Sequence, residues 1–279
     1  MNEWRLYAFA DEASGMIDLQ IQALKRNRLH GLEIRNVDGE SVSSISIKKA
    51  KEVRKKLDDN GFIVWSIGSP IGKIGIDDPF SPHLDLLRHT MEVAAELKTK
   101  RIRMFSFYLS QGANPAEYRS KVMDQMAAML ETAQQYGIWL CHENEKGIYG
   151  DTAVRCKDLH DTFADLHGIF DPANYIQCGQ NTWEAWQMLK EHIDYLHIKD
   201  ALQDGSVVPA GHGVGRVSEI LKEFAALGGK DLTLEPHLKV FDGLGKLERD
   251  GETSQIGQYV YETNDQAFDA ACEALRALL

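Results

Sequence analysis

The sequence has no apolar run near the roughly 18 residues that a membrane-spanning helix needs. Its first residues, MNEWRLYAFADE, carry neither the basic flank nor the apolar stretch of a signal peptide. No membrane partner is expected, and the expected location is cytoplasmic. Cysteine is scarce: Cys141, Cys156, Cys178 and Cys272 are scattered through 279 residues without a CxxC pair. That excludes a zinc knuckle and a disulfide scaffold, and it fits reduced thiols. Proline is also scarce, with 7 residues, and no Pro-, Gly- or Ser-rich linker divides the chain. Positive charge is in deficit, since 31 Lys and Arg against 42 Asp and Glu leave a net charge of −11. Such a field repels phosphodiester backbones, so no nucleic-acid partner is expected.

What is present is a globular composition, 43% hydrophobic and 26% charged, able to build a core. Short apolar or β-branched runs recur, each ending in polar residues: 6–12, 31–36, 62–69, 101–108, 138–145, 168–174, 195–201 and 232–238. Between them lie stretches with helical spacing, such as Leu84, Leu87, Met91, Ala94 and Ala95. Gly31, Gly61, Gly137 and Gly168 precede strand candidates and suit helix-to-strand junctions. Strand followed by helix, repeated, means parallel strands with right-handed crossovers. Eight units of roughly 35 residues fill the length, which predicts an α/β protein with one closed (β/α)8 TIM barrel spanning 1–279 as a single domain. The Gly-rich, charged segment 239–258 is too long for an ordinary turn; it is read as a lid or a subunit contact, with a disordered loop as the competing reading.

In such a barrel the chemistry lies at the C-terminal ends of the strands. The fifth to eighth strand candidates end with Glu143, Asp171, His197 and Glu235. Singly, each acid could cap the following helix or pair with a local lysine. Together, three carboxylates and an imidazole on four neighbouring strands would repel one another unless a divalent cation joined them. One ion per chain is expected, Mn2+ first, with Mg2+, Co2+ or Zn2+ as alternatives.

The blocks HENEKG, FDPAN, HIKDA and LEPHL, with FADEAS, LEIRNVDG, IGSPIGK and FSFY before them, resemble the xylose isomerase-like barrels of the sugar phosphate isomerase/epimerase superfamily. The resemblance covers nearly the whole chain and implies that Glu143, Asp171, His197 and Glu235 ligate the metal. It further implies that Glu143 and Glu235 exchange the substrate proton, through a metal-bound enediolate of a sugar, keto-sugar or sugar phosphate. Several epimerases of this superfamily carry a His where Asn174 stands, three residues after the strand-six Asp. Its apurinic endonucleases need further histidines that are not found here, which makes DNA repair an unexpected activity.

Alternation places Lys199 on the face of His197, and His237 on the face of Glu235, if the strands stay regular. Both are expected near substrate, as are Asn174 and the pair Glu33 and Arg35 at the end of strand two, although an ion pair rigidifying the rim is an equal reading for the latter. His142 should point away from Glu143. The segment VPAGHGVGRV lacks the spacing of a nucleotide loop. It follows strand seven, where barrels often hold phosphate, and Arg216 could assist; the competing reading is that Gly211, Gly213 and Gly215 only let the loop pass close to the barrel. The expected partner is a small-molecule carbohydrate substrate, with a homodimer or homotetramer left open. The rival readings are a metal-dependent dehydratase or lyase acting on a keto-inositol, keto-sugar or dehydroshikimate-like acid, and a non-catalytic sugar-binding protein.

Overall fold

The computed structural model describes residues 3–241 and 259–279, so most of the 239–258 segment lies outside the described residues. Eight strands close a barrel: β1 (Arg5–Ala8), β2 (Gly31–Ile34), β3 (Ile63–Ile67), β4 (Arg101–Met104), β5 (Trp139–Glu143), β6 (His167–Phe170), β7 (Ile193–Ile198) and β8 (Asp231–Leu234). Every neighbouring pair is parallel, and β8 closes on β1 with Arg5 opposite Asp231 and Ala8 opposite Leu234. Each of the eight apolar runs became one of these strands. The expected (β/α)8 TIM barrel is the observed fold.

The helices around it are α1 (Ile17–Arg26), α2 (Ile47–Asp59), α3 (Phe80–Glu96), α4 (Pro115–Gln135), α5 (Ala153–Thr162), α6 (Pro172–Gln177), α7 (Thr182–Leu189), α8 (Val217–Ala226) and α9 (Asn264–Leu278). Polar side chains cap several of them, as Ser46, Asn114, Asp171, Asn181 and Thr263 each accept from a backbone N–H of the first turn. Gly61 and Gly137 adopt the left-handed conformation (φ 77° and 64°) expected of a junction. Gly31 and Gly168 instead lie inside β2 and β6, where a Cβ on Gly31 would come within 2.2 Å of the Ile63 carbonyl oxygen.

Alternation sorts each strand into two faces. Leu6, Ala8, Leu32, Ile34, Leu140, Phe170, Leu196, Leu232 and Leu234 join the large core with apolar residues of the helices. Tyr7, Trp65, Cys141, Ile169 and Tyr195 form a separate buried cluster. Its rings meet across non-adjacent strands, with Tyr7 stacked on Trp65 at 4.7 Å and Trp65 edge-on to Tyr195 at 5.8 Å. This is the packed interior of the barrel. One step of two residues towards the strand ends replaces Cys141, Ile169 and Tyr195 by Glu143, Asp171 and His197, so the polar layer stands directly above an apolar floor.

Candidate metal centre at the barrel mouth

Glu143 ends β5, Asp171 follows β6 as the N-cap of α6, His197 lies within β7 and Glu235 follows β8. One potential ligand atom from each lies within 4.8 Å of all the others, and the four side chains are almost wholly closed to solvent. The Nδ1 of His197 is 2.8 Å from Glu143 Oε1 and 3.7 Å from Glu235 Oε2. Three carboxylates and one imidazole on one point form a donor set for a divalent cation of hard or borderline type. Glu143 Oε2 and Asp171 Oδ2 are buried without a geometrically good hydrogen bond and are balanced by ion pairs, with Arg103 Nη1 at 3.2 Å and Lys199 Nζ at 2.8 Å. Buried carboxylate oxygens that gather positive charge in this way fit a cation.

The surrounding charges explain how the cluster persists. Lys199 Nζ lies 2.8 Å from Asp171 Oδ2 and 2.9 Å from Glu235 Oε2, and not on Asp200, the neighbour that could have claimed it. Arg103 Nη1 reaches Glu143 Oε2 at 3.2 Å and Glu235 Oε1 at 3.8 Å, its guanidinium lying over the rings of Phe9 and Phe105. Burial opposes ionisation of Glu143, yet His197 and Arg103 outweigh it and hold its carboxyl below the usual range. Burial likewise opposes ionisation of Glu235, and Lys199 leads the cations that hold it well below. For Asp171 burial prevails even against Lys199 and pushes the carboxyl up to about 7. Burial disfavours the His197 imidazolium, but Glu143 and Glu33 raise it to about 10.

Arg35 forms a second knot beside the first. Its Nε and Nη2 donate to the two oxygens of Asp11 at 2.9 and 3.1 Å, Nη2 also to Glu12 Oε1 at 3.1 Å, and Nη1 to Glu235 Oε1 at 3.2 Å. The bidentate fork fixes the guanidinium, which in turn orients one oxygen of Glu235. Burial pushes the Glu12 carboxyl up to about 8 even against Arg35. Asp11, Glu12 and Arg103 were not singled out in the sequence; the signal available was a charged residue inside an apolar strand for Arg103, and two acids in the FADEAS block for the others.

The remaining expected residues fall in different places. His237 lies just beyond β8 with φ 45°, so strict alternation has ended, but its Nδ1 is still 4.0 Å from Glu235 Oε1 and its ring stacks on Phe241. Asn174 lies one helical turn from Asp171; its backbone N–H donates to Asp171 Oδ1 at 3.0 Å while its side-chain amide donates to the Asn144 carbonyl at 2.9 Å. Asn144 and Asp171 exchange two more hydrogen bonds, which tie the ends of β5 and β6 together. Glu33 touches His197 from behind and is fully buried. His142 turns away from the cluster, as expected, to Ser106 Oγ at 2.9 Å.

Arg216 is elsewhere. It stands half-exposed before α8, paired with Glu219 at 3.0 Å and lying over the Trp183 ring. The amides of Gly211, Gly213 and Gly215, with that of Ala201, already donate to the Asp200 carboxylate at 2.9–3.0 Å. A Cβ on Gly213 would come within 2.3 Å of Asp200 Oδ1 and the Ala201 carbonyl oxygen, so close passage over Asp200 accounts for that glycine.

A sequence profile of the xylose isomerase-like TIM barrel matches residues 22–249, well over half of the chain. The chain belongs to that family. Among solved structures, it is similar to the probable 3-DHS dehydratase AsbF, involved in petrobactin synthesis, from Bacillus anthracis, with 14% identity, a TM-score of 0.74 and 98% of each chain covered. A comparable likeness holds for the IOLI protein with a bound zinc atom, at 15% identity and a TM-score of 0.74, covering 98% of this chain and 96% of that one. The 3-keto-D-glucoside 4-epimerase YcjR from E. coli follows at 15% identity and a TM-score of 0.69, covering 99% and 98%. No curated protein matches the sequence. At these identities the solved structures speak for the fold of this xylose isomerase-like barrel. Among the described residues no helix is long and apolar enough to cross a membrane.

Proposed function

We propose that the chain is a divalent-metal-dependent isomerase or epimerase of a sugar or keto-sugar, acting by proton transfer next to a carbonyl. The observation that carries this reading is the convergence of Glu143, Asp171, His197 and Glu235 at the C-terminal mouth of the barrel. A cation held by these four would supply Lewis-acid polarisation of a substrate carbonyl, which acidifies the C–H of the adjacent hydroxyl-bearing carbon. One of the two glutamates, Glu143 or Glu235, takes that proton. Returning it to the neighbouring carbon, while the hydroxyl proton passes to the former carbonyl oxygen, gives aldose–ketose isomerisation; delivery from the opposite face inverts the centre and requires the second glutamate, held ionised in the free site, to take up a proton first. Arg103 and Lys199 stand beside Glu143 and Glu235 and help to keep these carboxylates ionised, the form that accepts a proton. Mn2+ is the first candidate ion, and the reading includes a single-domain chain 1–279 working in the cytoplasm without nucleic-acid or membrane partners.

An unphosphorylated substrate is favoured over a sugar phosphate. The amides expected to receive a phosphate are donated to Asp200, and Arg216 is paired with Glu219. A second reading, dehydration of a keto-inositol, keto-sugar or dehydroshikimate-like acid, draws on the Lys199 ammonium in the site, which could protonate a departing β-hydroxyl as water while a glutamate removes the α-proton. Metal analysis and product analysis on a panel of ketoses, keto-inositols and dehydro-acids, run in deuterated water, separate the two. Deuterium next to the carbonyl is the expected result. Turnover by a demonstrated hydride shift without exchange would refute proton transfer by the glutamates.

A further inference from the structure

We infer that Glu33 is a positioning residue: it fixes the tautomer and ring orientation of His197, so that Nδ1 is the nitrogen offered to a cation, and it does not contact substrate. The inference rests on the reading of the four-residue cluster as an ion site and deepens it.

Glu33 is 0% exposed and lies against Tyr195, a residue of the apolar floor beneath the cluster. Its Oε2 lies 3.1 Å from His197 Nε2, on the side of the imidazole opposite Glu143, whose Oε1 is 2.8 Å from Nδ1. Its Oε1 accepts from the Tyr195 hydroxyl at 3.1 Å, and that hydroxyl is also 3.3 Å from Ser66 Oγ. A register shift in the pairing of β2 with β3, between Leu32 and Glu33, sets Glu33 opposite Ser66 and brings these groups together. Glu33 is therefore held from one side by the Tyr195 hydroxyl, itself beside Ser66, and presents its other oxygen to one imidazole nitrogen.

A neutral imidazole carries one N–H and one lone pair, and a carboxylate can only accept. With Glu33 at Nε2, the neutral ring keeps its proton there and turns the Nδ1 lone pair towards Glu143 and Glu235. The aromatic rings of Phe9 and Tyr195 pack edge-on against the imidazole at 5.2 and 5.6 Å and oppose rotation of its plane. A carboxylate behind a ligating histidine raises the basicity of the ligand and fixes its direction, and loss of such a partner costs about 10–100-fold in metal affinity.

The test measures ion binding and not turnover. Mn2+ titration calorimetry is run on wild type, Glu33→Gln and Glu33→Met. The Zn2+-loaded proteins are then compared by 15N-detected two-bond imidazole spectra. Glutamine keeps the shape and a neutral carbonyl acceptor, so a loss of about threefold to tenfold is expected with the Nε2–H tautomer retained. Methionine removes the acceptor, so a loss of about 10–100-fold is expected with the tautomer preference gone. Should Glu33→Met fail to fold, the glutamine variant decides alone. Equal Mn2+ affinity in folded Glu33→Gln and wild type overturns the inference, as does an Nδ1-protonated His197 in the loaded wild type. A change confined to substrate KM would restore the substrate-contact role for Glu33. A wild type that takes up no divalent ion overturns the ion site itself and the inference with it, a result distinct from equal binding by the variants.

Discussion

Replacing Lys199 by methionine reports most directly on the balance of charge in the cluster. The ammonium lies 2.8 Å from Asp171 Oδ2 and 2.9 Å from Glu235 Oε2, oxygens that the ion site would also use. At an effective dielectric of about 20, each such contact is worth about 6 kcal/mol of gross attraction. Desolvation offsets much of that, and removing one partner of a buried pair costs about 3–5 kcal/mol. Without divalent ions, Lys199→Met should therefore lose about 3 kcal/mol of stability, read as a lower urea midpoint. Ion binding should move the other way. A cation that no longer shares its oxygens with an ammonium should bind about 10–100-fold more tightly, equivalent to about 1.4–2.8 kcal/mol. Since the ion binds the folded state, added Mn2+ should recover the lost stability, and Tm should climb more steeply with Mn2+ concentration than in wild type. Calorimetric titration and melting curves across a Mn2+ series measure both effects. If Lys199→Met binds Mn2+ no more tightly than wild type, the lysine and the ion do not compete for these oxygens, and the reasoning fails.

Other consequences can be measured separately. Glu143→Gln and Glu235→Gln should each lower kcat by about 10²–10⁴-fold, the usual worth of a positioned base, and reduce deuterium incorporation in parallel, with an unchanged far-UV spectrum; full activity in either variant would remove that glutamate from the chemistry. Asp200→Ala should cost about 2–4 kcal/mol in urea unfolding, because four backbone amides lose their acceptor, and Asp200→Asn should cost less. A loss below about 1 kcal/mol would mean that the loop finds other acceptors. Burial, reinforced by His192, holds the His160 imidazole down to about 4. The neutral ring then stabilises the fold fully above its ordinary value near 6.5, and the contribution is lost as pH falls from there towards 4. His160→Gln should flatten the stability–pH curve over that window by up to about 3 kcal/mol, and an unchanged slope would place the acid sensitivity elsewhere.

The legible parts of this protein were those set by local pattern. The run 138–145 gives β5, and the period of two within it turns Glu143 inward and His142 outward to Ser106, as the residues alone predict. The same period carries Lys199 to the face of His197. It stopped serving in the loop beyond β8: Glu235, one residue past the strand, still joins the cluster, but His237 takes φ 45° and reaches Glu235 without regular alternation. The glycines of 211–215 show a different limit. Their density marked a backbone that comes close to something, but composition did not distinguish an external phosphate from the carboxylate of Asp200, 11 to 15 residues earlier.

Pairing across the barrel was the least accessible layer, and the reason is geometric. Glu33 and His197 are 164 residues apart, and Arg35 and Glu235 are 200 apart. Alternation says that such side chains face inward; which of them meet depends on barrel closure and on local register, such as the shift between Leu32 and Glu33. The polar layer also answers to a condition that no single strand carries. Asp11, Glu12, Glu33, Glu143, Asp171 and Glu235 are all buried together, and Arg35, Arg103, His197 and Lys199 are buried among them. Each acid is tolerable there only because a base from another strand or loop reaches it. The two arginines and the lysine thus belong to the site as much as the four residues that converge on one point, because they supply the opposite charge that lets buried carboxylates stand close together.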